Sequence, residues 1–382
     1  MKMTAGRRGQ VHVAHLTTVH KPFDVRIFHK ECKSLAAAGY RVSLIQSDCE
    51  AETVDGVEIV PIRRRHRRIA RMTLGVADAV ATARRIGADI VHFHDVELIW
   101  GAVVLKLLGK KVVYDVHEDV AKDLEDKAYL PRWLRGPLRL AVQGFELVAQ
   151  QMCDRIVGAT RSIHARFAPD RATLVRNSPI LGEFSGGEYP PFAARENIAV
   201  YLGGLAAFNG PVAMVDAIAE VDKSLDPRLI LGGSFPDPAV EAQVRSSGGW
   251  GRIDFRGWVS RGDIGGIFGQ ARCGLVLYQP TPNVVDSEPN KFFELMSAGL
   301  PLVASNFPVW TNLINQFECG IAVDPDDPKA IAAAIEYMFR NPEEAEAMGR
   351  RGRDAILGGY NWSVDSRILV ELYDDLAGLI RA

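Results

Sequence analysis

Short, unbroken apolar runs alternate with segments of helical patterning in two successive blocks, and this alternation constrains the fold most. The first block carries VHVAHLT (11–17), RVSLIQS (41–47), VEIVPI (57–62), DIVHFHD (89–95), KVVYDVHE (111–118), RIVGAT (155–160) and TLVRNS (173–178). The second carries NIAVYLGG (197–204), RLILGGS (228–234), IDFRGWV (253–259), CGLVLYQP (273–280), LPLVAS (300–305) and GIAVD (320–324). Runs that are continuous, without polar alternation, suit parallel strands covered on both faces. Strand and helix in turn, twice over, predict two doubly wound α/β domains of Rossmann-like type. The Gly- and Pro-paired stretch ILGEFSGGEYPPFAARE (180–196) reads as the linker, which sets expected domains at 1–180 and 181–362.

A chain of 382 residues with formal net charge −2 buries a large core and shows no global pull toward nucleic acid. Cys32, Cys49, Cys153, Cys273 and Cys319 are scattered with no CxxC pair, which argues against a disulfide framework or a cysteine zinc site and suits a reducing cytoplasm. The basic start MKMTAGRRGQ leads straight into a strand with no apolar signal core, and no run approaches the length of a membrane span.

In open parallel sheets ligands sit beyond the carboxyl ends of the strands, and two such sheets facing one another create a cleft. Gly203 and Gly204 follow a strand in YLGGLAAFNG, where backbone N–H groups can approach an anion; the same turn also serves purely structural ends. FRGWVS places Trp258 and Val259 at another strand end, fit to present backbone to a flat ring. In SEPNKFFELMSAGLPLVAS, Pro289 suits a first helical position and Gly299 an exit. Asp286, Ser287, Glu288, Asn290 and Lys291 cluster around that helix start, where carboxylates can simply complement the dipole. Glu294 lies deeper, among Phe292, Phe293, Leu295 and Met296. A buried carboxylate needs strong partners. A ribose diol supplies two hydroxyl donors, with the helix N–H groups receiving a diphosphate; a structural ion pair is the bland alternative.

In the first block, HKPFDVRIFHKE makes Asp24 an N-cap and puts Arg26 in the first helical turn, offering a cation to a phosphate-bearing acceptor or merely lying on the surface. VHFHDVEL sets His92 and His94 on one strand face. His94 joins Asp24 and Arg26 on the acceptor side. A metal reading lacks a third and fourth ligand in the sequence, so no metal is expected, and Asp95 is read as the cap of the next helix. The run IRRRHRRIARM holds Arg63, Arg64, Arg65, Arg67, Arg68 and Arg71, a density expected to favour an anionic membrane surface over a solvated loop. No nucleic-acid motif accompanies it.

Asp286-x7-Glu294 followed by LMSAGLPLVAS resembles the E-x7-E region of family 4 glycosyltransferases, in the branch with a PNKxFExMAxGxPVxAS signature. TTVHKPFDVRIFHKECKSLAAAGYRVSLI, VHFHDVEL, VVYDVHED, YLGGL, IDFRGWV and YNWSVDSRILVELY are similar to further landmarks, so the resemblance covers nearly the whole chain. It implies the GT-B architecture, with the last helix (363–382) crossing back onto the N-terminal domain. It implies retaining, metal-independent transfer of a hexosyl-type group from a nucleotide diphosphate sugar (UDP or GDP) to a saccharide or lipid-linked acceptor, at the inner face of the plasma membrane. No cofactor beyond the sugar nucleotide is expected. The resemblance assigns ribose binding to Glu294, sugar contacts to Asp286, and a place facing the donor sugar to His117. Where the family carries an Arg and, five residues on, a Lys to clamp the phosphates, this chain has Gly204 and Asn209. Helix N–H groups or Lys291 are then left to neutralise the leaving group. A nucleotide-sugar epimerase, a two-lobed periplasmic sugar-binding protein and a catalytically weak partner subunit are the rival readings.

Overall fold

The computed structural model describes residues 5–117, 131–184 and 190–380. Residues 185–189 of the expected linker and the last two positions of YDVHED lie outside the described residues. The chain divides into two compact units: residues 1–177 with 362–382, and residues 178–361.

In the first unit, eight strands form one sheet in the order β3-β4-β2-β1-β5-β6-β7-β8. They are β1 (His12–Leu16), β2 (Arg41–Gln46), β3 (Glu52–Val54), β4 (Val57–Pro61), β5 (Ile90–Phe93), β6 (Lys111–Val116), β7 (Arg155–Gly158) and β8 (Ala172–Leu174). Every residue of β1 and β5 is buried, as their continuous apolar runs require of strands sandwiched by helices. All pairings are parallel except β3 with β4. That hairpin turns at Asp55 and Gly56, both with positive φ (50° and 79°), and leaves an exposed, polar edge. Chain order reverses between β1 and β5, the position where such sheets gather polar groups at their carboxyl ends.

The second unit has a fully parallel sheet in the order β11-β10-β9-β12-β13-β14. Its strands are β9 (Ile198–Leu202), β10 (Arg228–Gly232), β11 (Ile253–Gly257), β12 (Cys273–Val276), β13 (Leu302–Ser305) and β14 (Gly320–Val323). The reversal falls between β9 and β12. Trp310 is fully buried against Phe292, Phe307 and Tyr278, and its indole N–H donates to the Ser287 carbonyl at 2.7 Å. One aromatic anchor therefore fixes the turn that precedes the helix Asn290–Ser297.

The final helix, Trp362–Ile380, belongs to the first unit. Trp362 donates to Ser34 Oγ at 2.8 Å. Asp374 accepts two hydrogen bonds from Arg8 (2.8 and 2.7 Å) and one from the Tyr40 hydroxyl (2.7 Å). Losing a charged acceptor that serves the half-buried Arg8 and the buried Tyr40 costs about 1–3 kcal/mol. Asp374→Ala should therefore lower the thermal midpoint by roughly 2–10 °C, scored by calorimetry, with far-UV circular dichroism of the folded state unchanged.

Candidate active site

The strand ends of the second unit meet through main-chain hydrogen bonds. Gly203 N–H donates to the Gly232 carbonyl at 2.9 Å, and Gly233 N–H to the Gly257 carbonyl at 2.6 Å. The approach is too close for side chains: a Cβ on Gly233 would lie 1.8 Å from the Gly203 carbonyl oxygen. A cavity of about 250 Å³ opens over these ends, lined by Gly203, Gly204, Gly232, Gly233, Ser234, Trp258, Val259, Ile264 and Lys291, with Leu202 at its floor. It gathers the expected Gly203, Gly204, Trp258, Val259 and Lys291. It adds Gly232, Gly233 and Ser234, whose strand-then-GG signature in RLILGGS matches that of YLGG and could have been read in the same way.

Lys291 crosses directly over the glycine turn, since a Cβ on Gly203 would stand 2.1 Å from its Cε. Its ammonium is the cation of this cavity, beside the positions where the resemblance led one to look for Arg and Lys. Asn209 is not exposed to a ligand as expected. It is buried, and its Oδ1 accepts from the Ala206 N–H at 3.2 Å, bracing the loop. Gly210 (φ 72°) seats that loop on the end of β12, where a Cβ would collide with the Leu277 carbonyl oxygen at 1.9 Å. Tyr201 ties down Gly204 through its hydroxyl (2.9 Å).

The helix Asn290–Ser297 begins one residue later than the sequence suggested, with Pro289 as its N-cap residue and no capping side chain. Its first N–H groups are therefore available to an anion. Glu294 is 8 % exposed. Its Oε1 lies 3.4 Å from Arg261 Nη1 and its Oε2 3.8 Å from Lys291 Nζ. Both separations are long, and Arg261 is engaged chiefly by Glu183, through Nε and, at 2.7 Å, through Nη2. Ser287, expected to touch the donor, instead turns its hydroxyl onto the Val284 carbonyl at 2.8 Å. Asp286 is exposed and Glu288 half-buried on the same turn, and Asn290 is exposed at the helix start.

In the first unit, Asp24 caps the helix Val25–Cys32 as its sequence position implies, accepting from Arg26 N–H (2.8 Å) and Ile27 N–H (3.0 Å). Arg26 corrects the expectation. It is 3 % exposed, and its guanidinium forks onto Asp115 at 2.8 and 2.7 Å and reaches the Val175 carbonyl at 3.1 Å. Burial pushes the Asp115 carboxyl up, but Arg26 and the imidazoles of His117 and His94 more than offset this and hold it well below the usual carboxylate range. Such a committed guanidinium is unavailable to an acceptor phosphate. His94 is likewise buried, its Nδ1 3.0 Å from Asp115 Oδ2. His117 is half-buried, linking Asp115 (3.0 Å) to His20 (3.1 Å). Asp95 stands at the N-cap position of Val96–Leu98, but its carboxylate makes no cap bond there; it accepts from Thr18 N–H (2.6 Å) and the Thr17 hydroxyl (3.0 Å) and faces His20 Nδ1 at 3.0 Å. His92 and His94 also meet His15 and Glu31, donors that sequence spacing did not reveal.

The arginine run is not one solvated patch. Arg64 pairs with Asp48 (3.1 Å), Arg65 with Asp78 (2.7 Å) and Arg71 with Glu97 (2.8 Å). These three join Lys21, His20 and His66 around a cavity of about 640 Å³. Arg63, Arg67 and Arg68 are exposed beside the exposed Ile69, Met72 and Leu74.

Two family models cover the two units: Glycosyltransferase Family 4 over residues 25–176, and Glycosyl transferases group 1 over residues 190–355. The chain belongs to glycosyltransferase family 4. This glycosyltransferase is 22 % identical to an MMP alpha-(1->4)-mannosyltransferase of Mycolicibacterium hassiacum, over 80 % of this chain and 75 % of that one. It is also 22 % identical to the GDP-mannose:cellobiosyl-diphosphopolyprenol alpha-mannosyltransferase of Xanthomonas oryzae, over 84 % and 83 %. Its fold matches a sucrose-phosphate synthase from Thermosynechococcus elongatus with a TM-score of 0.78 at 17 % identity, covering 97 % of this chain and 100 % of that structure. The architecture is GT-B.

Two substitutions separate site from scaffold in this glycosyltransferase. Gly203→Ala forces Lys291 aside and should weaken nucleoside diphosphate binding about tenfold, read by calorimetric titration, with the melting point nearly unchanged. Arg26→Ala leaves the buried Asp115 without its guanidinium and should cost about 3–5 kcal/mol in urea unfolding.

Proposed function

We propose that this enzyme is a retaining glycosyltransferase that moves a hexosyl group, mannosyl in the first instance, from a nucleotide diphosphate sugar to a hydroxyl of an anionic, lipid-linked saccharide at the cytoplasmic membrane face. The observation that carries the reading is Lys291 lying across the Gly203–Gly204 turn beside an uncapped helix start. A cation, free N–H groups and a backbone stripped of Cβ atoms form a receptor for a diphosphate. Trp258 and Val259 line the same cavity and would flank the base. Glu294, one turn into the helix with only long cationic contacts, would take the ribose hydroxyls, and Asp286 the sugar.

When the anomeric C–O bond breaks, negative charge gathers on the departing β-phosphate. Fixed N–H dipoles and the Lys291 ammonium stabilise that charge without reorganising. A departing phosphate oxygen then accepts the acceptor hydroxyl's proton on the face of attack, so the protein supplies no obligatory nucleophile and the transfer step no metal. In the first unit, the cavity lined by Lys21, the Asp48-paired Arg64, the Asp78-paired Arg65 and the Glu97-paired Arg71 would take the phosphate of the acceptor, with Lys21 as its leading cation, in the role the sequence had given to Arg26. Arg63, Arg67 and Arg68 with Ile69 would rest on anionic lipid. Among the described residues no helix is long and apolar enough to cross a membrane.

Thermal-shift titration with GDP-mannose, against UDP-, ADP- and dTDP-sugars, tests the donor. One nucleotide sugar should raise the melting point, and Glu294→Gln should abolish that shift; an undiminished shift in the variant removes Glu294 from the donor site. With the responding donor, the product should keep the donor's anomeric configuration by NMR, and added Mg²⁺ or Mn²⁺ should leave initial rates unchanged. Replacing Arg63, Arg67 and Arg68 by Gln should weaken binding to phosphatidylglycerol vesicles roughly a hundredfold at low salt, at about 1 kcal/mol per arginine.

A further inference from the structure

Four fully buried side chains of the first unit converge on one point. Glu31 Oε2 lies 3.8 Å from His15 Nδ1, 3.8 Å from His92 Nδ1 and 3.9 Å from His94 Nε2, and all four side chains are 0 % exposed. His15 Nδ1 and His94 Nε2 stand 3.0 Å apart. One donor atom from each of the four lies within 4.8 Å of all the others.

Hydrogen bonds hold the imidazoles, His15 Nδ1 to His94 Nε2, His92 Nδ1 to the Tyr373 hydroxyl and His94 Nδ1 to Asp115, but they leave Glu31 out. Neither Glu31 oxygen has a hydrogen-bond partner, and neither does His92 Nε2. Arg26 Nε comes within 3.1 Å of Glu31 Oε1, but that guanidinium is aimed at Asp115. A buried carboxyl group without hydrogen bonds is costly in either protonation state. Something of positive charge, placed among three ring nitrogens and an unpartnered oxygen, would resolve it.

We propose that His15, His92, His94 and Glu31 form a structural site for one divalent cation of the zinc type, clamping β1, β5 and the helix Val25–Cys32. Ligands about 2.0–2.1 Å from a tetrahedral ion stand about 3.3 Å apart. Four of the six separations are 3.0, 3.8, 3.8 and 3.9 Å and all lie within 4.8 Å, so the four donors must draw in by up to about an ångström to meet one ion. The second shell has the usual form for a metal-bound imidazole: His94 Nδ1–H donates to the Asp115 carboxylate at 3.0 Å, which turns the Nε2 lone pair toward the ion. Tyr373 now hydrogen-bonds His92 Nδ1 at 2.7 Å; with the ion in place its oxygen turns to His15 Nε2–H, 3.5 Å away.

Three imidazoles and a carboxylate close the shell with no open position, so the ion holds structure and performs no chemistry. It would also set the tautomer of His94, and through Asp115 the hydrogen bond that orients His117. The inference does not depend on the identity of donor or acceptor.

The test uses the full chain without a polyhistidine tag. Elemental analysis should find about one zinc per chain, and stripped protein should regain its melting point on adding Zn²⁺. Co²⁺ in the stripped protein should give the intense visible bands of a tetrahedral site. Glu31→Gln and His92→Gln should each lose those bands, and Tyr373→Phe should keep them. A wild-type protein with no bound metal, no Co²⁺ bands and no response to Zn²⁺ overturns the proposal, as do bands surviving in both ligand variants. Should the variants fail to fold, X-ray absorption of the wild-type zinc protein decides: imidazole scattering with N/O ligands near about 2.0–2.1 Å is expected, and a sulfur shell near about 2.3 Å defeats it.

Discussion

Parallel strands buried on both faces impose the constraint from which the rest of this molecule follows. Such strands spend their side chains on two apolar layers, so polar chemistry is confined to the places where they stop. The second sheet obeys this, whereas the first also buries His12, His15 and His92 inside β1 and β5. Glycines, Lys291 and the helix start carrying Glu294 stand beyond β9, β10 and β12, and His94, Asp115 and His117 stand at the ends of β5 and β6.

The two units answer the constraint in opposite ways. The second removes side chains: three strand ends close on one another through glycine, and the bared backbone lies beside one lysine. The first packs ionisable groups together under cover, with Arg26 and Asp115 as the central pair. A buried pair of that kind is rarely a net source of stability, yet removing either partner strands the other. Through Asp115 it also meets the half-buried His117, 3.0 Å away.

Much of this was legible in the sequence. All the strands anticipated from apolar runs are present, because a continuous hydrophobic run between turn residues has few other uses. The antiparallel β3 escaped notice because Glu-Thr-Val is short and polar, although the Asp55–Gly56 turn announces a hairpin. Gly203, Gly204, Trp258, Val259 and Lys291 do line one cavity, since their positions follow strand ends that periodicity can locate. Asn209, Ser287, Arg26 and His94 have partners within the protein that their sequence positions do not announce. A polar residue at a strand end can face the ligand or brace the loop, and both leave the same mark in a sequence.

The sequence by itself determined the layering, the two-block architecture and the segments in which chemistry must lie. Those depend on local periodicity and on where glycine and proline interrupt it. The tertiary structure alone decided which charges are spent internally and which remain for a ligand. Arg26 finds Asp115 across 89 positions, and Glu31 meets His92 and His94 from another element. Pairings of that kind depend on distances between strands and helices that no spacing along the chain encodes.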